Sequence, residues 1–311
     1  MNIQTSLFIT LLLSLFSGCD NSSTANNVSN EPSQEIISIR VADTDAAIFY
    51  QPDSHHLALD CLNAPCQERL FVFFPGSGSP PDDYQKILRT MSSAGMKGVV
   101  LAYENGNSIT DMCGEEDACY KESRQDRLFG SPSSTYVSSV ADGIDNRLLK
   151  MLQHLKWDAF YDADVLLYNK IVFSGFSQGA GMAALIGKQK IVDRVCMFSG
   201  PWDHTSGPFP ATWLSDPSQT PTTDFYGFTH MHDVMINGAT FLDINWQQLG
   251  MGVDNIEVYR NLIGQRFYTD DEDSLCASDY HACSIRDDVT PLNNLGLPRY
   301  GSIWDYMCNG K

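Results

Sequence analysis

Gly175-Phe176-Ser177-Gln178-Gly179 sets a serine between two glycines, each two positions away. The apolar run Lys170-Ile171-Val172-Phe173-Ser174 before it reads as a short buried strand. Ala180, Gly181, Met182, Ala183, Ala184, Leu185 and Ile186 after it suit a helix packed close to a sheet. A strand-to-helix turn this sharp forces the serine into a strained backbone conformation, and the glycines let neighbouring backbone approach without a Cβ clash. The hydroxyl then stands at the start of a helix, where backbone N–H groups and the helix dipole favour the negative charge that develops during acyl transfer. The chemistry this predicts for Ser177 is nucleophilic attack on a carbonyl. The pentapeptide alone is a weak signal; the strand before it and the helix after it give it weight.

With these neighbours the chain resembles the α/β-hydrolase superfamily of serine esterases, lipases and peptidases, over about residues 36–290. The resemblance implies an α/β-hydrolase fold, a mostly parallel sheet of about eight strands with helices on both faces, and a triad in the order serine, acid, histidine. A histidine in a loop after the last strand is the family's base, which assigns His281 in Ser278-Asp279-Tyr280-His281-Ala282-Cys283. For the acid, Asp233 and Asp203 compete, because the family carries it after one of two successive strands. Asp233 is favoured because it closes the run from Phe225 to His232, whereas Asp203 lies just past a strand, where Asp often merely turns the backbone. The family also draws an oxyanion-hole N–H from the loop after the third strand and another from the residue after the serine, here Ser77, with Gly78 as the alternative, and Gln178. No cofactor and no metal are implied.

The elements that must hold these residues follow in chain order. Ile36 to Val41 and Ala47 to Tyr50 read as two antiparallel edge strands, and Leu70 to Phe74 as a central strand running into Pro75-Gly76-Ser77-Gly78-Ser79. A helix is expected from Asp82 to about Gly95, capped by Asp82 or Asp83, followed by a strand from Gly98 to Tyr103. Residues 104–135 form a polar insertion without a confident period, either shaping a substrate mouth or lying outside it. Val140, Ile144, Leu148, Leu149, Leu152 and Leu155 mark a long helix from Tyr136. A strand follows at Arg194 to Gly200, then a second insertion over 201–223, where Trp202, Phe209 and Trp213 either line a pocket or pin the loop. A helix is expected within Ala239 to Leu249, and Ile256 to Tyr259 fits the last strand. His230 and His232 are read as non-metal residues, and Asp270 to Asp273 as a solvated acidic face rather than a calcium site.

The first residues, through the apolar stretch Leu7 to Phe16, read as a signal peptide too short to remain as a spanning helix. Cys19 after Ser17-Gly18 resembles the lipidated cysteine of bacterial lipoproteins, so residues 1–18 are expected to be removed and 19–34 to form a polar tether. Residues 35–311 then make one domain, outside the cytoplasm and held to a membrane through that lipid alone, or secreted. The net charge of −18 argues against nucleic acid as a partner. Of the other eight cysteines, Cys61/Cys66, Cys113/Cys119 and Cys276/Cys283 are read as local disulfides, and Cys196 and Cys308 as either a pair or free thiols. The function expected is an exported serine hydrolase acting on a small-molecule or polymer ester. A serine peptidase and a non-catalytic tethered binding protein are the alternatives.

Overall fold

A computed structural model describes residues 35–310, apart from 52, 64, 131–138, 206–208, 234–238 and 253–256. Cys19 and the segment around it lie outside the described residues. β1 (Ile37–Arg40) leads into a single helical turn, α1 (Val41–Thr44), and β2 (His55–Leu59) returns antiparallel to β1. The second edge strand is therefore not Ala47 to Tyr50. The Phe49 and Tyr50 amides donate to the Asp142 carboxylate at 3.0 and 2.7 Å, so this stretch satisfies its backbone on a side chain instead of a neighbouring strand.

β3 (Leu70–Phe74) is buried at all five positions. Its alternation feeds two cores: Leu70, Val72 and Phe74 join one cluster, and Phe71 and Phe73 the other. A 3₁₀ turn at Pro81–Tyr84 precedes α2 (Gln85–Ser93). The capping acid is neither Asp82 nor Asp83. Asp287, about two hundred residues on, accepts from the Gln85 and Lys86 amides at 2.9 and 3.1 Å. β4 (Lys97–Val100) follows, shorter than the run to Tyr103 suggested.

The first insertion is helical, contrary to expectation: α3 (Ile109–Cys113) and α4 (Asp117–Phe129) occupy it. Ser108 caps α3 by accepting from the Asp111 amide at 3.3 Å. The buried face of α4 carries Tyr120, Ser123, Arg124, Asp126 and Arg127, so an apolar count shows no helical period there. Tyr136 to Ser138 lie outside the described residues, and α5 (Ile144–Leu155) presents the expected apolar stripe. A small hairpin, β5 (Tyr161–Asp162) and β6 (Val165–Leu166), leads to the elbow strand β7 (Ile171–Phe176) and α6 (Gln178–Gln189). β8 (Arg194–Phe198), β9 (Phe225–His230) and α7 (Ala239–Gln248) are found where expected. Ile256 lies outside the described residues, and the rest of its expected strand, Glu257 to Tyr259, is not the last strand. β10 (Glu257–Val258) is a two-residue edge, and β11 (Arg266–Thr269) lies between it and β9. α8 (Ser274–Ser278) and α9 (Gly301–Cys308) complete the chain.

Among the described residues the main sheet has nine strands in the order β1-β2-β4-β3-β7-β8-β9-β11-β10, with β2 antiparallel to both its neighbours and every other pairing parallel. α2 and α9 supply buried residues to one core and α4, α5, α6 and α7 to the other. This is the α/β-hydrolase fold. Cys61–Cys66, Cys113–Cys119 and Cys276–Cys283 are disulfides, with Cα separations of 5.8, 5.4 and 4.8 Å. Cys196 and Cys308 are free, buried thiols, and burial followed by the neighbouring Cys196 sulfur pushes the Cys308 thiol well up. No helix among the described residues is long and apolar enough to cross a membrane.

His56 on β2 is fully buried, and its Nδ1 accepts from the Ala102 amide at 3.0 Å. Burial, then the nearby Arg147 charge, lowers its pKa from 6.5 to about 3. The unfolded chain takes up a proton near 6.5 that the folded chain refuses, so this stability is full above 6.5 and drains as pH falls toward 3. Between pH 7 and pH 4 the wild type is expected to lose about 3 kcal/mol more than His56→Gln in urea titrations. Equal losses in the two proteins would refute this.

Candidate active site

Ser177 sits at φ 53°, ψ −114°, between β7 and α6. Its glycines are there for space. A Cβ on Gly175 would strike the Gly179 backbone, and one on Gly179 the Phe74 carbonyl at the end of β3. The elbow is thus wedged against the strand that delivers the loop of Ser77.

That loop is riveted by Asn105, just beyond β4. Its side-chain amide donates to the Gly76 carbonyl at 2.6 Å and the Ser79 carbonyl at 2.9 Å, and its own carbonyl accepts from the Gly78 amide at 2.8 Å. The Gly78 N–H is committed there, which removes it as the alternative to Ser77. The Ser77 hydroxyl donates to Gln178 Oε1 at 3.1 Å, and the Ile109 amide of α3 donates to the same oxygen at 3.0 Å. One side chain therefore ties the two expected oxyanion residues to each other and to the insertion. The roles of Asn105 and of the Gln178 side chain were not foreseen, because a polar residue after a strand gives no sign of its partners.

His281 follows α8 in a turn closed by the Cys276–Cys283 disulfide. Its Nδ1–H donates to Asp233 Oδ2 at 2.9 Å and Oδ1 at 3.1 Å. The ring packs against Phe176 and Trp202, with centroids 4.8 and 5.7 Å away. Asp233 is fully buried, and the Thr229 hydroxyl donates to its Oδ2 at 3.2 Å. Behind Thr229 the hydroxyls of Ser199 and Ser284 continue the chain at 3.1 Å each. Ser177, Gln178, Ser77 and His281 all line one cavity of about 440 Å³.

Asp203 is equally buried but differently engaged. Arg124 of α4 grips both its oxygens, one bond being Nε to Oδ2 at 2.7 Å, and Trp213 Nε1 donates to Oδ2 at 2.7 Å. Arg124 also donates to the Gln178 carbonyl at 3.0 Å and fills the space over Gly181 where a Cβ would stand. The pair braces the elbow from behind. Breaking a buried ion pair by removing one partner costs about 3–5 kcal/mol. Asp203→Ala is therefore expected to lower the unfolding free energy by about that much, read from urea midpoints. An unchanged midpoint would refute the bracing role.

His230 uses both ring nitrogens, Nε2 donating to the Asp271 carbonyl at 2.9 Å and Nδ1 accepting from the His232 amide at 2.9 Å, which leaves neither for a metal. In the acidic run, Asp271 and Asp273 pair with Arg299 and Asp270 pairs with Arg260. Asp273 also caps α8. Trp202 faces the cavity, whereas Trp213 anchors Asp203 and Phe209 is exposed.

No family model matches the chain, and no curated protein matches it in sequence. Among solved structures it is similar to an alpha-beta serine hydrolase homologue from Coxiella burnetii, at 10% identity and TM-score 0.40, covering 76% of this chain and 86% of that one. It is also similar to a thermophilic esterase from Thermogutta terrifontis, at 14% identity and TM-score 0.38, covering 71% and 78%.

Proposed function

We propose that the protein is a serine hydrolase that cleaves an ester through an acyl-enzyme. The observation that carries this is the His281–Asp233 hydrogen bond beside the strained elbow serine, on a shared cavity. Asp233 accepts the Nδ1 proton, which leaves Nε2 as the basic nitrogen. That nitrogen takes the Ser177 proton as Oγ attacks the carbonyl, then returns it to the leaving alcohol. The backbone N–H groups of Ser77 and Gln178 hold the oxyanion, kept at a fixed spacing by the Gln178 side chain. Water repeats the sequence to release the acid. An ester is preferred to an amide by analogy with the commoner activity on this fold. The test is hydrolysis of short p-nitrophenyl esters by the purified protein, with the Ser177→Ala variant beside it.

A further inference from the structure

We infer that the substrate is a short-chain acyl ester of a neutral, polyhydroxylated alcohol, an inference that rests on the hydrolase reading above. Of the described residues lining the cavity, Ile109, Phe176 and Trp202 are the apolar ones. Phe176 and Trp202 lie against the His281 ring, so their surface flanks the base. A long acyl chain is held by burying successive methylenes against continuous apolar wall, and the described lining offers no apolar side chain beyond these three. The hydroxyls of Ser79, Ser108 and Thr110 line it instead, with the carboxylate of Asp111 at the α3 end. The Ser108 hydroxyl accepts from the Asp111 amide and can still donate, and the Thr110 hydroxyl donates to the Trp202 carbonyl and can still accept, so a substrate bearing hydroxyls gains bonds here that an analogue without them does not.

Charge narrows the class further. Arg286 also lines the cavity, but it is held by Asp288 at 2.6 Å and Asp279 at 3.1 Å, so its charge is answered within the protein. Arg124 is likewise matched by Asp203. Both arginines among the described lining are therefore paired within the protein and the chain carries a charge of −18, which disfavours an anionic substrate, and a neutral polyol ester meets no such penalty. The wall is also built in advance. α3 is joined to α4 by Cys113–Cys119, its first amide is held by Gln178, and the Thr110 hydroxyl donates to the Trp202 carbonyl at 3.2 Å.

The experiment compares kcat/KM for p-nitrophenyl acetate and octanoate, and for ethyl acetate, monoacetylglycerol and an O-acetylated methyl glycoside. The acetate is expected to exceed the octanoate by at least about tenfold, and one or both polyol acetates to exceed ethyl acetate by a similar factor. Whichever polyol is preferred identifies the source of the hydroxyls. Asp111→Ala, on an exposed part of the wall, and Thr110→Val should both narrow the ratio of polyol acetate to ethyl acetate. Octanoate as good as acetate, a ratio near one, or a ratio unmoved by both variants overturns the inference. If any of these appears while Ser177 is labelled by a phosphonate, the hydrolase reading survives. If no ester is cleaved and Ser177 is unlabelled, both fall together.

Discussion

Ser177→Ala is expected to reduce turnover of p-nitrophenyl acetate to near the uncatalysed background, a loss of at least about four orders of magnitude in kcat. Without Oγ there is no atom for the acyl group to join, and the Nε2 base has no proton to take. The fold should survive, because alanine meets the same strain at φ 53° as serine does. The Ser177 amide donates to the Phe198 carbonyl at 2.8 Å, a backbone bond that the substitution leaves in place. An unchanged melting temperature with lost turnover is the expected pair of results. Retained turnover would remove Ser177 from the reaction.

Asp233→Asn should depress kcat by about three to four orders of magnitude while leaving KM and stability near the wild type. The amide can offer Nδ2 to His281 Nδ1, which favours the tautomer with the proton on Nε2, where it cannot act as base. It also removes the buried negative charge that stabilises the imidazolium formed during attack. Thr229 can still donate to the Asn side-chain oxygen, so the site should remain packed. Asp203→Ala differs in kind, since its partner is Arg124 and its main effect is on stability. If Asp233→Asn proved nearly silent and an Asp203 variant lost turnover at unchanged stability, the acid would be Asp203.

Where the sequence is explicit, it is explicit because the relevant physics is local. The elbow is readable because three small residues in five, flanked by an apolar run and a small-residue helix, state their own backbone requirement. The two-core packing of Leu70 to Phe74 is written in five consecutive large apolar residues. Asp233 stands out by ending its strand run, and His281 by following the others in chain order.

What was misread depends on contacts made far along the chain. α4 hides its period because its inward face is arginine, serine, aspartate and tyrosine, groups that become interior residues only through Asp203, Glu104 and other partners at a distance. Asp203 competed with Asp233 for the same reason, since its guanidinium lies 79 positions away in a segment that reads as loop. The α2 cap is Asp287 and not the adjacent acids, and β11 is four residues long and opens with a buried arginine, so neither carries a local signature.

The most direct test of the central claim is the mass of the protein after treatment with a fluorophosphonate, which reacts with an activated serine and not with ordinary ones. One adduct per chain, mapped to the peptide containing Ser177 and absent from Ser177→Ala, is the predicted result. Folded protein that gains no adduct, or gains it at another residue, would contradict the account.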